Sequence, residues 1–148
     1  MNKLELMLEA KKVRSVILEA KSKMSYVDCE LSTFPSASCE VSSIILGLLL
    51  RTKYDYKMIL AVGKREGIAP CQISNHVWLL INDKLILDIT PDQFDDCNIP
   101  VIVAEEHELH DTFEVYDYRQ FDRSSLDRPG CHGYDDIFEV IVNLYENA

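Results

Sequence analysis

Asn75-His76-Val77-Trp78-Leu79-Leu80-Ile81-Asn82-Asp83-Lys84-Leu85-Ile86-Leu87-Asp88-Ile89-Thr90 is the stretch on which the fold turns. Two β-prone apolar runs flank Asn-Asp-Lys, a hairpin signature. Both runs are almost continuously apolar, so their sheet is expected to be covered on both faces. His76 and Asp88 are the polar exceptions. Side chains alternate between faces along a strand, so loop length decides whether these two meet. A three-residue loop, Asn82-Asp83-Lys84, sets His76 opposite Thr90 and diagonal to Asp88, on one face. A two-residue loop sets them on opposite faces. A carboxylate inside Leu-Ile-Leu-Asp-Ile is costly unless paired, and the histidine is its obvious partner.

Upstream, Phe34-Pro35-Ser36-Ala37-Ser38-Cys39 leads into the apolar run Ile44–Leu50. Ser36 or Ser38 can cap a helix there by accepting a backbone N–H. Cys39 then lies in or beside the first turn, where free N–H groups and the helix dipole favour an anion. A thiol so placed can have its pKa lowered and become a nucleophile. The competing reading is a small buried hydrophobe, the usual fate of a free cysteine.

The remaining elements follow from periodicity. Leu6, Ala10, Val13, Ile17, Ala20 and Met24 recur at helical spacing, predicting an amphipathic helix over about residues 3–24 whose default role is core packing. Residues 25–38 read as a loop, and about 39–52 as a second helix. Lys57–Gly63 reads as a strand and Lys64–Ser74 as a long connection. Ile99–Ala104 is a strand placed at an edge by Pro100. Glu105–Asp111 is a charged connection, Thr112–Tyr118 another strand, and residues 119–133 are rich in turn formers. Asp135 or Asp136 can cap a last helix to about Asn147, with Ile137, Val140, Ile141 and Leu144 facing inward.

At 148 residues and 47% apolar, the chain fits one domain with a real core. Its longest apolar run, Ile44–Leu50, is too short to span a bilayer, and its start lacks a signal-peptide h-region; the expected location is cytoplasmic, though that does not exclude secretion by another route. The five cysteines (29, 39, 71, 97, 131) form no C-x-x-C pair, which argues against a disulfide framework. The net charge is −10. Residues 1–24 hold six Lys/Arg against three Glu, or +3, leaving −13 for the rest. Residues 92–122 carry ten Asp/Glu and one Arg, which opposes nucleic-acid binding. This acidic region is either a solvated face or a patch for a basic protein partner.

A thiol nucleophile needs a base and a third group that orients the base. Cys39, His76 and Asp88 supply these types in that order. Singly, His76 reads equally as a satisfied core histidine, and Asp88 as a strand end bonding local N–H groups. Together, Ser38-Cys39, Asn75-His76-Val77-Trp78 and Asp88-Ile89-Thr90-Pro91 resemble the transglutaminase-like branch of the papain-like superfamily, over about residues 34–94. That superfamily includes transglutaminases and bacterial transglutaminase-like cysteine proteinases. Together with the elements read from periodicity, the resemblance leads to the expectation of a single α+β domain over residues 1–148, of the papain-like, transglutaminase-like type, with N-terminal helices packed on an antiparallel sheet. It implies Cys39 as nucleophile, His76 as general base and acid, and Asp88 as the orienting group, acting on a peptide or protein substrate by hydrolysis or acyl transfer. Many papain-like enzymes place a glutamine before the cysteine to help form the oxyanion hole, and none precedes Cys39 here. Ser38 and Gln93 are the candidate substrate or oxyanion residues; for Gln93 a turn role competes. Trp78 shares the parity of His76 and can shield the His–Asp pair, wall the cleft or fill the core.

His107-Glu108-Leu109-His110-Asp111 is not the H-E-x-x-H zinc motif, because Asp111 stands where the second histidine is needed. Cys71, His76, Cys97, Cys131 and His132 lack ligand-pair spacing beyond the adjacent last two. No metal or cofactor is expected. The rival to an enzyme is a catalytically silent acidic interaction protein, such as an immunity protein, chaperone or partner-binding subunit. Sulfur–imidazole contact, with Asp88 on the other ring nitrogen, separates the two.

Overall fold

The 75–90 hairpin is the centre of one five-stranded sheet. The computed structural model describes residues 2–23, 30–67, 73–127 and 134–148. Its helices are α1 (Lys3–Lys23), α2 (Cys39–Arg51), α3 (Glu108–Asp111) and α4 (Tyr134–Asn147). Its strands are β1 (Met58–Glu66), β2 (Ile73–Ile81), β3 (Leu85–Asp88), β4 (Ile102–Ala104) and β5 (Glu114–Arg119). They run in the order β4-β3-β2-β1-β5, every neighbouring pair antiparallel. The protein is therefore α+β, with an antiparallel sheet.

The hairpin turn is the odd one. Ile81 pairs with Leu85, leaving Asn82, Asp83 and Lys84 in the loop. Asn82 and Asp83 have φ of 51° and 62°, the left-handed region that these two residue types tolerate best after glycine. The loop is also tied sideways: Asn82 N–H donates to Lys57 O at 2.9 Å, and Lys57 N–H to Asn82 Oδ1 at 3.1 Å.

Both faces of the sheet are covered, as continuous apolar strands require. Leu60, Val62, Val77, Leu79, Ile81, Leu85 and Leu87 join the main core with α1, α2 and α4. On the opposite face Ala61, Trp78 and Ile86 form a smaller cluster with Leu109 and Phe113. On α1 the buried stripe is Leu6, Ala10, Val13, Val16, Ile17 and Ala20. Each large apolar side chain fully buried in this way contributes about 1.5–3 kcal/mol. On α4 the fully buried positions are Ile137, Ile141 and Tyr145, with Val140 and Leu144 half-buried.

Several boundaries differ from the sequence reading. Gly63 does not end β1; Lys64, Arg65 and Glu66 continue the pairing with Asn75, Ser74 and Ile73. Gly63 stands there because a Cβ would lie 2.9 Å from Phe113 Cβ and 3.1 Å from the Trp78 ring, so the residue marks a close approach rather than a stop. β4 is shorter than expected, and its edge position holds. The Glu105–Asp111 connection contains α3, which His107 caps by accepting Leu109 N–H on Nδ1 at 3.1 Å. α4 starts at Tyr134, so Asp135 and Asp136 lie inside it and neither is its cap. Met24, Cys29, Cys71, Cys131 and His132 lie outside the described residues. Among the described residues, no helix is long and apolar enough to cross a membrane.

Candidate functional site

α2 and the hairpin bring the three candidate residues to one end of the sheet. Cys39 is the first residue of α2. Ser38 occupies the N-cap position, but its side chain makes no capping bond. Its Oγ is buried and has no hydrogen-bond partner, so it is not the capping oxygen that the sequence suggests. Instead the backbone closes the turn, with Ser42 N–H and Oγ–H both donating to Ser38 O, at 2.9 and 2.8 Å. One turn further along, Ser43 Oγ–H donates to Val77 O at 3.3 Å and pins α2 to β2 beside His76. The preceding loop turns sharply, and Ala37 has φ of 55°, unusual for a residue with a Cβ.

His76 and Asp88 share the smaller-cluster face of the sheet, as the three-residue loop requires. Both are fully buried. His76 Nε2–H donates to Asp88 Oδ2 at 2.5 Å. Asp88 Oδ1 accepts Thr90 N–H at 2.9 Å. The other imidazole nitrogen, Nδ1, lies 3.1 Å from Gln93 Nε2, which also donates to Thr90 O at 3.1 Å. Because that amide nitrogen is a donor to a carbonyl, the same group presents N–H to Nδ1, which fixes the neutral ring as the Nε2–H tautomer. The Cys39 side chain lies close enough to His76 to raise its pKa. With Nε2 committed to Asp88, Nδ1 is the atom left for Gln93 and for any further partner.

The electrostatics are those of a buried ion pair. Burial pushes the His76 pKa down, but the Asp88 charge and hydrogen bond, joined by Cys39, outweigh it and hold the ring at about 9. Burial likewise pushes Asp88 up, and the charges and hydrogen bonds of His76 and His110 hold its carboxyl well below the usual carboxylate range. Once protonated, the ring carries a donor on Nδ1 that faces the Gln93 amide nitrogen at 3.1 Å, so that amide must shift.

Two residues in this network have no counterpart in the sequence reading. His110, on α3, donates Nε2–H to the same Asp88 Oδ2 at 2.8 Å. It sits in the segment set aside as a failed zinc motif. Arg14, on the helix read as core packing, forms a bidentate pair with Asp92 at 2.9 and 2.8 Å, and donates to Ile89 O at 2.7 Å and Pro100 O at 3.0 Å. It thereby holds the segment after β3 that carries Gln93. On a helix with six Lys/Arg, nothing local in the sequence marks Arg14 for this role.

Trp78 is buried, its ring centroid 5.5 Å from that of His76 and 4.8 Å from that of His110. Phe94 packs edge-on to His76 at 4.9 Å. Arg65 lies over Phe94 and Phe113, held by Asp96 at 2.9 Å. Trp78 and His110 also line an open cleft of about 570 Å³ floored by Ala61, Leu80 and Ile86 and edged by Asp83, Glu105, Glu106 and Asp111.

His76, Asp88 and His110 are the one group of potential metal ligands among the described residues. Their N···O distances of 2.5 and 2.8 Å are those of hydrogen bonds. Donors around a metal at about 2.1 Å sit roughly 3 Å or more apart, so this cluster is closed by its own protons. Of the cysteines and histidines that lack zinc-ligand spacing, Cys97 is half-buried and packs on the smaller cluster. Comparison of the chain with protein-family models, curated proteins and solved structures returned no match.

Proposed function

We propose that the chain is a thiol-dependent acyl hydrolase or acyl transferase with a Cys39–His76–Asp88 triad, on a fold of the papain-like, transglutaminase-like type. The observation that carries this reading is the buried His76–Asp88 pair at 2.5 Å, with Cys39, the first residue of α2, close enough to raise the His76 pKa. In the reaction, the Cys39 thiolate sulfur forms a bond to a substrate carbonyl carbon, and the carbonyl electron pair moves to oxygen. As the tetrahedral intermediate collapses, the bond to the leaving group breaks and His76 Nδ1 supplies its proton. Water or an amine then gives a proton to His76 and attacks the thioester, releasing the acyl group and the sulfur. Asp88 keeps Nε2–H occupied and so leaves Nδ1 for both transfers.

The oxyanion has one backbone donor in the Cys39 N–H at the start of α2. Gln93 Nε2, beside Nδ1, supports the second donor, and the unpartnered Ser38 Oγ is the other candidate. Trp78 contributes by excluding water from the His–Asp pair.

A second reading, a silent interaction domain, is favoured by the complete burial of His76 and Asp88, since a fully paired network can serve as a core pin. Peptide-mapped iodoacetamide labelling at neutral pH separates them. The enzyme reading expects Cys39 to react much faster than Cys29, Cys71, Cys97 or Cys131. It further expects turnover of some members of a peptide library, with an amine acceptor supplied, that Cys39→Ala lowers by at least about a thousandfold. Equal labelling rates, or turnover that survives Cys39→Ala, would sink it.

A further inference from the structure

We propose that His110 is a positioning residue: by donating Nε2–H to Asp88 Oδ2 it holds the carboxylate at the angle that keeps His76 in the Nε2–H tautomer with Nδ1 toward Cys39. This rests on the acyl-transfer reading for its purpose, but not for its geometry.

Three observations carry it. First, one carboxylate oxygen serves both rings, at 2.5 Å to His76 and 2.8 Å to His110, while Oδ1 is taken by Thr90 N–H. Asp88 is thus held from three directions, and a side chain so held cannot rotate away from His76. Second, the position is a costly one to fill with a histidine. The His110 side chain is 3% exposed, and its Nδ1 is buried without a hydrogen-bond partner. An apolar residue would avoid that cost against Trp78 and Phe113, so core packing alone does not account for the imidazole. Third, the backbone that presents it is braced. His107 caps α3, Thr112 Oγ1–H donates to Leu109 O at 2.6 Å, and Arg65 donates to Thr112 Oγ1 at 2.9 Å. Such outer partners fix the tautomer of a functional imidazole, and losing one typically costs ten- to a hundredfold where this has been measured at metal sites.

The test compares the full chain as wild type, His110→Phe and His110→Gln. Glutamine keeps an N–H donor at about the reach of imidazole Nε2; phenylalanine fills the space without one. Two readouts are taken on each: the iodoacetamide labelling rate of Cys39 at neutral pH, and the 15N imidazole spectrum of His76 above pH 9, where the ring is neutral and its tautomer can be read. In His110→Phe we expect a mixture of His76 tautomers and labelling of Cys39 slowed about tenfold. In His110→Gln the Nε2–H tautomer returns and the rate lies within about threefold of wild type. A folded His110→Phe protein with wild-type tautomer and rate overturns the proposal. Should that variant fail to fold, His110→Gln decides: a folded protein that loses the tautomer overturns it, and one that keeps it supports it. If wild-type Cys39 labels no faster than the other cysteines, the acyl-transfer reading fails while the tautomer comparison still judges His110.

Discussion

Asp88→Asn removes the charge at the centre of the site with almost no change in shape. His76 is held at about 9 against an ordinary 6.5. That gap corresponds to ~3 kcal/mol of extra stabilisation of the protonated ring. Because burial opposes protonation, loss of the carboxylate charge leaves burial opposed by Cys39 alone, and the ring's pKa falls. The sign follows by linkage. In the wild type, the raised His76 pKa contributes stability that is fully present below pH 6.5 and lost as pH rises through about 9. The depressed Asp88 contributes stability present above the ordinary carboxylate value of 3.8 and lost as pH falls through its lower folded value. Wild-type stability should therefore form a plateau from about pH 4 to 6.5 and decline above it by up to ~1.4 kcal/mol per pH unit. In Asp88→Asn that decline shrinks and moves to lower pH, because the ring loses the larger part of what raises its pKa.

A second cost accompanies it. Thr90 N–H holds the Oδ1 position, so the asparagine NH2 group lies where Oδ2 accepts from His76 and His110. Both rings must then switch tautomer or leave buried donors facing donors, at about 1–3 kcal/mol per unsatisfied group. Urea denaturation of both proteins from pH 4 to 10 measures the profile, and 1H–15N spectra of the His76 ring report its titration directly. A decline between pH 6.5 and 9 that persists unchanged in Asp88→Asn would refute the assignment of the pair, and so would an unchanged His76 titration.

Two packing predictions follow from the backbone. A Cβ at Gly47 would meet Phe121 Cζ at 2.2 Å, and that ring is trapped under Arg51 at 3.9 Å. Gly47→Ala should therefore destabilise by about 1–3 kcal/mol, although alanine is the better helix former by about 1 kcal/mol; a raised melting temperature would show that Phe121 gives way. Ala37 is exposed and has φ of 55°, so Ala37→Gly should relieve the left-handed strain and stabilise by about 0.5–1 kcal/mol. Calorimetry reads this as a rise of roughly 2 °C, and a fall would mean that the loop before Cys39 is not strained there.

What the sequence by itself determined is local and periodic. Alternation around Asn82-Asp83-Lys84 decides the hairpin register, so the meeting of His76 and Asp88 is legible, given the odd loop. Helical spacing decides the buried stripe of α1, and an apolar run after Ser38-Cys39 decides where α2 begins. Gly63 misled because a glycine required by close approach looks, in sequence, like one required by a turn.

Only the tertiary structure decided which distant polar groups complete the network. His110 lies 22 residues from Asp88, and Arg14 lies 78 from Asp92, with no spacing rule to link either pair. Their roles arise because α3 folds over one face of the sheet and α1 packs across the other. In a buried site each donor must find an acceptor, and the acceptor is set by which elements touch, not by which residues are near in the chain.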